Sequence, residues 1–507
     1  MFGKTFGMEI LSTVMAWATG TMTGYALSID NNYTSSNSVY AELGPRLSQN
    51  ASIILPGSPL FENATLRWQE WRDPNINVVV EVATESDVQE TIKYANAHDI
   101  DFLAMSGGHG AIYSLGDVHH GIEIWMHKLN TMSISDSGGI AKIGGGVLSK
   151  DLVDYLWALG KQAATGLCEC TSILGPLLGG GHGILQGEHG LLIDNLISAR
   201  LVLANGTVVT VSKTSHLDLF WALRGAGHNF GIVTEVEYRI FDVEEGDSWA
   251  YESFVFKGSE VEALYGLENE LENDEVRRSR VFMYSFWAWS LEIDTEGPVI
   301  FFFVLYHGTA SDAALFFAHF RSLTPAIPVQ SGTVTLPEIA SLTGNGYDGL
   351  ACGHGSVSLR FPIDVMSYDV QAQRDVYEKF KKVTLDEPAL NGSFFLFEGY
   401  PVKGVQDVPV ESTAFPHRKD NLLISPVMVY TPNSTPDATA IQAGKDLRQI
   451  LHKATGREHM HSYVNYAHGD ESLQEMYGFE SWRLEKLRAL KDLWDPKGKF
   501  GFYAPIR

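Results

Sequence analysis

The chain has 507 residues, 45% of them hydrophobic and 19% charged, and 61 acidic against 37 basic residues give a formal net charge of −24. This length exceeds one ordinary core and predicts two domains, or one domain with a large insertion. So negative a surface repels phosphate backbones, which argues against nucleic-acid binding. The three cysteines, Cys168, Cys170 and Cys352, are too few for a disulfide framework, and no cysteine or histidine spacing indicates a metal site.

The N-terminal residues have the pattern of an export signal. Lys4 precedes an apolar run over residues 10–20, and Gly24-Tyr25-Ala26 fits a small-x-small cleavage site, so residues 1–26 are predicted to be a signal peptide. The run is too short for a transmembrane helix, and we expect no stable membrane insertion. Six Asn-x-Ser/Thr sequons also favour the secretory pathway; they begin at Asn32, Asn50, Asn63, Asn205, Asn391 and Asn433. The alternative is a soluble intracellular protein with a short lead-in and unused sequons.

A strand–helix–strand unit that ends in a glycine-rich loop follows. Residues 77–83 are rich in valine and predict a buried strand. Thr84, with Asp87 three residues later, predicts the N-terminus of a helix. Residues 101–105 predict the next strand, which runs directly into Ser-Gly-Gly-His-Gly at 106–110.

The next part of the chain contains a second glycine-rich stretch, at 175–183, and a hairpin. The hairpin is predicted because the turn Asn205-Gly206 joins two strand patterns. The predicted strands lie at 122–125, 140–143, 199–204, 207–211 and 232–240, and the predicted helices lie at 151–159 and 218–223.

From about residue 245 to residue 470 the character of the sequence changes. Aromatic strands at 282–289 and 299–307 alternate with helical stretches at 310–323 and 368–382, which predicts a mixed sheet with helices on one face. A last helix at 480–494 stops before Pro496.

The glycines are the first indication of chemistry. A backbone that approaches a diphosphate closely, with its N–H groups directed at it, requires residues without a Cβ atom. Two such loops side by side could cradle one diphosphate, although ordinary turns are the alternative. Neither loop has the Gly-x-Gly-x-x-Gly or the Walker spacing, so a Rossmann or P-loop site is disfavoured.

Four ordered blocks make the chain recognisable. They are residues 77–109 ending in Ser-Gly-Gly-His; Gly-Gly-Gly-His-Gly at 179–183 with Gly-Leu-Leu-Ile-Asp-Asn-Leu at 190–196; residues 218–234; and Tyr-Val-Asn-Tyr at 463–466 with Tyr477-Gly478 and Asp495-Pro496. Together with Phe-Pro-His-Arg at 415–418, they resemble the berberine bridge enzyme-like branch of the vanillyl-alcohol-oxidase flavoproteins. The resemblance covers nearly the whole chain after residue 65.

This resemblance implies an α+β fold. It implies a PCMH-type FAD-binding domain of two subdomains over residues 65–243 and a substrate-binding domain over residues 244–470, with an antiparallel sheet covered by helices. Residues 471–507 are expected to return to the FAD domain.

The resemblance also implies FAD attached covalently. His109 matches the family histidine that bonds to the flavin 8α-methyl group, and the link is expected to retain the cofactor and raise its reduction potential. Cys168 matches a cysteine through which some members attach the flavin a second time, at C6. A buried apolar cysteine is the alternative, and Cys170 is not expected to pair with it because an i,i+2 disulfide would be strained.

The remaining FAD contacts are expected to come mostly from the backbone. Met105 stands where the family often has arginine, so one pyrophosphate contact is expected to be missing. Asp194 and Asn195 are expected to secure their loop rather than touch substrate. The predicted contact residues are Ser106, Gly107, Gly108, Gly110, Gly175 and Gly180, with Ile232 and Val233 on the adenine side.

Catalysis requires a base that takes a proton while hydride passes to the flavin. Tyr463 is the predicted base, because the family's Tyr-x-Asn motif lies over the flavin, and Asn465 would contact the cofactor or position the tyrosine. A tyrosine with a pKa near 10 is a poor base unless a cation or hydrogen bond stabilises its phenolate, and a packed aromatic is the alternative. The family's namesake uses a glutamate in the strand after Phe-Pro-His-Arg, but residues 422–430 contain no carboxylate.

The sequence therefore predicts an FAD-dependent oxidase that uses O₂ and acts on a small, largely apolar secondary metabolite, through an alcohol, amine or activated C–H centre. An aromatic-rich substrate domain suits such a molecule. One alternative is a secreted carbohydrate oxidase on the same fold. Another is a flavin-fold protein without redox activity that serves as a binding or cyclisation scaffold.

Overall fold

The structure, a computed structural model, describes residues 36–432 and 436–507. The predicted signal peptide and the sequons at Asn32 and Asn433 lie outside these residues. None of the described helices combines the length and the hydropathy that a bilayer-spanning segment requires.

A four-stranded sheet begins the fold. Its strands are β1 Ser52–Ile54, β2 Ile76–Glu81, β3 Phe102–Met105 and β4 Gly121–Trp125, and the nearby helices are α1 Ser36–Glu42, α2 Pro59–Ala64 and α3 Glu85–Ala97. The order is β1-β2-β4-β3, with β4 parallel to both its neighbours and β1 antiparallel to β2. Thr84 and Asp87 form a reciprocal capping box at the start of α3, so the predicted strand–helix–strand unit is confirmed.

A five-stranded antiparallel sheet follows, in the order β5-β6-β10-β8-β9. The elements of this region are β5 Met132–Ile134, β6 Ile140–Gly144, β7 Lys161–Gln162, β8 Leu196–Val202, β9 Val208–Ser212, β10 Ile232–Arg239 and β11 Phe241–Asp242, with α4 Ser149–Trp157, α5 Leu174–Leu178, α6 Gln186–His189 and α7 Leu217–Ala226. Strands β7 and β11 pair separately. The predicted Asn-Gly hairpin is confirmed between β8 and β9, where Gly206 has a φ of +80° that suits glycine.

The third sheet has eight strands in the order β15-β12-β14-β13-β18-β19-β16, and β17 also pairs with β19. Its strands are β12 Trp249–Phe256, β13 Val281–Ala288, β14 Val299–His307, β15 Gln330–Val334, β16 Val357–Arg360, β17 Ile363–Val365, β18 Phe394–Gly399 and β19 Leu422–Tyr430. The helices are α8 Val261–Leu271, α9 Glu275–Arg280, α10 Ala310–Phe320, α11 Ile339–Leu342, α12 Val370–Asp386, α13 Lys403–Gln406 and α14 Asp437–Ala454. Every strand pair is antiparallel, as the family resemblance implies, so the mixed sheet predicted from the alternation of strands and helices alone is wrong.

The two faces of this third sheet have different roles. Helices α8, α10, α12 and α14 pack on one face, where Trp287, Phe302 and Phe397 belong to a large aromatic core. Because side chains alternate along a strand, Tyr284 and Phe286 of β13 and Leu396 of β18 point the other way. These residues face the two N-terminal sheets, and a cavity lies between them.

The C-terminal helices α15 Leu473–Tyr477 and α16 Ser481–Trp494 join the core that contains the second sheet. Lys491 donates a hydrogen bond to the backbone oxygen of Asn229 (2.7 Å). The side-chain amide of Asn229 in turn donates to Tyr477 Oη (3.1 Å). These buried contacts fix the turn that leads into β10, one of the walls of the cavity.

Candidate active site

A cavity of about 350 Å³ lies between the N-terminal sheets and the free face of the third sheet. The cavity is lined by both glycine-rich loops and by Ile232 and Val233. Many aromatic residues also line it, including Tyr284, Phe286 and Tyr466. The cavity therefore brings together most of the residues predicted to bind a cofactor and places them against an apolar wall.

The first glycine loop is pressed against a second backbone segment. A Cβ atom on Gly107 would lie 2.8 Å from the backbone oxygen of Cys170 and 2.8 Å from the nitrogen of Ser172. Gly108 has a φ of +69°, a conformation that disfavours other residues. Ser106, Gly107, Gly108 and Gly110 all line the cavity, and their contacts with FAD stay a prediction.

His109 lies in the cavity wall as a neutral imidazole. Burial, with smaller contributions from Arg360 and His354, lowers the pKa of His109 to about 3. Its ring stacks on Trp68 at a centroid distance of 5.9 Å, and its Nε2 lies 3.1 Å from Cys170 Sγ. At neutral pH the ring keeps a nitrogen lone pair available for bond formation.

The structure contains a disulfide between Cys170 and Cys352 (S–S 2.00 Å), which the sequence did not predict. Three cysteines are too few for a disulfide framework, but they form this single bond. The expectation that Cys168 and Cys170 do not pair is confirmed. Cys168 is a free thiol in the cavity wall, 3.6 Å from Cys352 Sγ. Burial raises its pKa to about 11, so it is protonated at neutral pH.

The second glycine loop is held by the Tyr-x-Asn motif. The phenol oxygen of Tyr463 accepts hydrogen bonds from the backbone N–H groups of Gly181 (3.1 Å) and His182 (3.4 Å) and from Asn465 Nδ2 (2.7 Å). Burial raises the pKa of Tyr463 well above its ordinary value. Tyr463 and Asn465 both line the cavity; Asn465 Nδ2 also donates a hydrogen bond to the backbone oxygen of Pro176 (2.8 Å), whereas its Oδ1 has no hydrogen-bond partner in the protein.

The two glycines predicted in this loop are placed differently. Gly175 lines the cavity, and His228 Nε2 lies 3.0 Å from its backbone oxygen. Gly180 is not among the lining residues, because it packs against Phe415, whose ring would lie 2.7 Å from a Cβ atom there. Its role in binding FAD stays a prediction.

Asp194 and Asn195 secure their loop, as predicted. The Asp194 carboxylate accepts hydrogen bonds from Leu191 N (2.9 Å) and from Arg418 Nη2 (2.7 Å). The Asn195 amide donates to the backbone oxygens of His189 and Leu191.

Glu398, on β18, supplies a carboxyl group that the sequence reasoning missed. It is buried in the cavity wall, where its Oε1 accepts a hydrogen bond from Tyr400 Oη (2.8 Å) and its Oε2 has no hydrogen-bond partner. Burial raises the pKa of Glu398, against the opposing effects of Tyr400, Arg360 and Tyr466. A buried carboxyl group with a raised pKa and an oxygen directed at no protein donor is suited to proton transfer.

Glu398 lies on the strand before Phe-Pro-His-Arg, whereas the strand after this motif has no carboxylate. That strand, β19, pairs with β18 so that Glu398 lies opposite Leu423. The available signal was a single glutamate in the otherwise apolar run Phe-Phe-Leu-Phe-Glu-Gly at 394–399.

Comparison with known proteins agrees with this geometry. A family model described as an FAD binding domain matches residues 76–212. The FAD-linked oxidoreductase chyH of Penicillium rubens is 40% identical over 503 residues, which cover 98% of this chain and 99% of that protein.

Two solved structures have the same fold. The BBE-like 1 protein of Physcomitrella patens superposes with a TM-score of 0.79 at 22% identity, covering 92% of this chain and 98% of that one. The glucooligosaccharide oxidase of Acremonium strictum, described with a 6-S-cysteinyl, 8α-N1-histidyl FAD, superposes with a TM-score of 0.77 at 19% identity, covering 93% and 99%. The predicted α+β flavoprotein fold is therefore confirmed.

Proposed function

This chain belongs to the family of FAD-linked oxidoreductases, and on that premise we propose that it is an oxidase of a small, largely apolar secondary metabolite that returns electrons to O₂. The substrate is an alcohol, an amine or an activated C–H centre, oxidised with or without cyclisation. The observation that carries the proposal is the cavity in which two glycine loops and a neutral His109 face an aromatic wall containing one carboxyl group, Glu398.

The residues that line the cavity beside the glycine loops fit FAD. Ser106 Oγ and His228 Nδ1 are buried, lie on the cavity wall and have no hydrogen-bond partner in the protein, so they can bind polar atoms of the cofactor. The glycines allow the backbone to approach a diphosphate closely. We assign Ile232 and Val233 to the adenine side, as the family resemblance implies.

We propose that FAD is attached through His109. The neutral imidazole is nucleophilic, and Trp68 holds its ring in place. Cys168 is the second possible attachment point, because its thiol lies in the same cavity wall. Burial raises the pKa of Cys168 and disfavours its thiolate, so we propose one covalent bond, at His109. Peptide mapping decides whether Cys168 forms a second bond.

When bound, FAD supplies the hydride acceptor. Glu398 accepts the substrate proton on Oε2, while Tyr400 holds Oε1 through its hydroxyl group. Tyr463 is the second candidate for the base, because the three N–H groups that donate to its oxygen favour the phenolate, but burial outweighs them and its pKa stays high. We therefore assign Tyr463 and Asn465 to holding the second loop against the cofactor, and Glu398 to proton transfer.

Carbohydrate oxidation is the alternative, since one similar structure is a glucooligosaccharide oxidase. The aromatic lining favours an apolar substrate instead. Peroxide release measured over matched panels of aromatic alcohols and oligosaccharides tests the choice. We expect turnover of aromatic alcohols, and efficient turnover of oligosaccharides alone would overturn the substrate assignment.

A scaffold without redox activity is the remaining alternative. Anaerobic mixing of the purified holoenzyme with a substrate found in the peroxide screen should bleach the flavin absorbance, and admission of O₂ should restore it. A flavin that no substrate bleaches would favour the scaffold.

We also propose that the protein enters the secretory pathway. The Cys170–Cys352 disulfide supports this, because structural disulfides persist in oxidising compartments. The sequon asparagines within the described residues, Asn50, Asn63, Asn205 and Asn391, are all exposed. A glycosidase-sensitive mass on the protein recovered from the culture medium is the expected result, and a reduced, unglycosylated intracellular protein would contradict it.

A further inference from the structure

Arg360, at the end of β16, is a cation in the cavity wall with an unsatisfied donor. Its guanidinium carbon lies 4.0 Å from the ring centre of Tyr466 and 4.7 Å from that of Trp68. Its Nη1 is shielded from solvent and has no hydrogen-bond acceptor in the protein. Arginine stays charged at all physiological pH values, and a buried donor without an acceptor is costly. The two rings offset part of the charge and the Tyr466 hydroxyl group interacts with the guanidinium group, but Nη1 is left without an acceptor.

The other cations that line the cavity are already paired. Arg67 forms an ion pair with the buried Glu123. Lys499 lies 3.4 Å from Asp99. Within the described residues, Arg360 has no carboxylate within the 4.0 Å that defines an ion pair, and this includes Glu398 in the same cavity. Arg360 is thus equipped to receive an acceptor from a ligand.

From this arrangement we infer that Arg360 binds an acidic oxygen of the substrate, a carboxylate or a phenolate, while the aromatic wall covers the rest of the molecule. The inference rests on the proposed function and narrows its substrate class. A substrate of this kind carries an anionic oxygen for Arg360 and, some distance away, an oxidisable group whose proton passes to Glu398. Guanidinium suits this role because its planar donors match a carboxylate in a bidentate manner.

The test is a binding titration of the holoenzyme with benzoate and with benzamide, which has a similar shape but no charge. The change in flavin absorbance reports occupation of the cavity. We expect benzoate to bind about tenfold or more tightly than benzamide, as a charge-assisted hydrogen bond predicts. Arg360→Gln should abolish this preference. Arg360→Lys should retain part of it, because lysine keeps the charge but lacks the two parallel donors of the guanidinium group.

Arg280→Gln is the matched control, since it removes one arginine whose side chain is 54% exposed and paired with Glu188 outside the cavity. It should leave the benzoate preference unchanged. The wild-type comparison needs no variant, so it remains decisive if Arg360→Gln does not fold.

Several outcomes overturn the inference. These are equal affinities of the wild type for the two probes, no benzoate binding, or a preference that survives Arg360→Gln. If that variant alters the flavin spectrum without ligand and keeps the preference, Arg360 serves the cofactor instead. A clear benzoate preference without any peroxide-producing substrate would count against the oxidase proposal alone, and turnover without a benzoate preference would count against Arg360 alone.

Discussion

Replacement of Glu398 by glutamine tests the proposed proton transfer. The two side chains have nearly the same shape, and the glutamine oxygen can still accept the hydrogen bond from Tyr400, so the cavity should be preserved. A positioned general base contributes about 10²- to 10⁴-fold to a rate. We therefore expect Glu398→Gln to slow anaerobic flavin reduction by roughly that factor, measured by stopped-flow absorbance with a substrate from the peroxide screen.

The pH dependence sharpens this prediction. Glu398 acts as a base only when deprotonated, so the wild-type rate should rise as the pH increases through its raised pKa, and the variant should lack that rise. A carboxyl group whose pKa is raised in the folded state loses stability progressively as the pH rises from its unfolded pKa through the raised value, so the melting temperature of the wild type should fall relative to that of the variant over this range.

Glu268→Gln is the matched control for Glu398→Gln. Glu268 is also fully buried, and burial raises its pKa to about 8, but it lies on α8 at the helical face of the third sheet. Its replacement should leave the rate of flavin reduction unchanged. A Glu398→Gln variant that reduces its flavin within about threefold of the wild-type rate, with the same pH profile, would refute the assignment of this residue as the base.

Three further changes test the rest of the site. Cys352→Ser removes a disulfide between residues 182 positions apart, so it should lower the free energy of unfolding by about 2–5 kcal/mol, measured in thermal or denaturant unfolding. Cys168→Ser should cause no such loss, because Cys168 is a free thiol. Tyr463→Phe leaves buried N–H groups without their acceptor and should lower the unfolding free energy by about 1–3 kcal/mol, with a loss of activity smaller than that of Glu398→Gln. His182 and His228 have their pKa values lowered by burial to about 4, so the folded state binds fewer protons than the unfolded state below pH 6.5. Each histidine should therefore cost roughly 1.4 kcal/mol per pH unit as the pH falls from 6.5 towards 4. Because buried carboxyl groups such as Glu268 change the wild-type stability in the opposite direction, the test compares denaturant unfolding of the wild type and of His182→Gln, and a difference between the two that is constant over this range would contradict the burial of the His182 ring.

The elements that the sequence predicted well depend on local patterns. The capping box at Thr84 and Asp87 uses residues three positions apart, and the hairpin at Asn205-Gly206 uses a turn that requires a positive φ. Such signals involve neighbours along the chain, so they can be interpreted without knowing the tertiary structure. The family motifs extended the prediction from local structure to the cavity, because these motifs lie in the segments that surround it.

The features that were missed depend on contacts between distant segments. The sequence separation of 182 residues between Cys170 and Cys352 carries no pairing signal. Glu398 could be assigned to the cavity only after the register of β18 against β19 was known, because a shift of one residue would turn it to the helical face. The role of Arg360 could likewise be inferred only from the structure, in which its Nη1 has no hydrogen-bond acceptor.

The central claim is that FAD is bonded to His109, and peptide mapping of the acid-denatured holoenzyme tests it most directly. We predict that the flavin stays with the protein after denaturation and that its mass is found on the proteolytic peptide that contains His109. Flavin on the Cys168 peptide as well would add a second bond without affecting the first. Complete release of FAD by acid, or retention on peptides that all lack His109, would contradict the account.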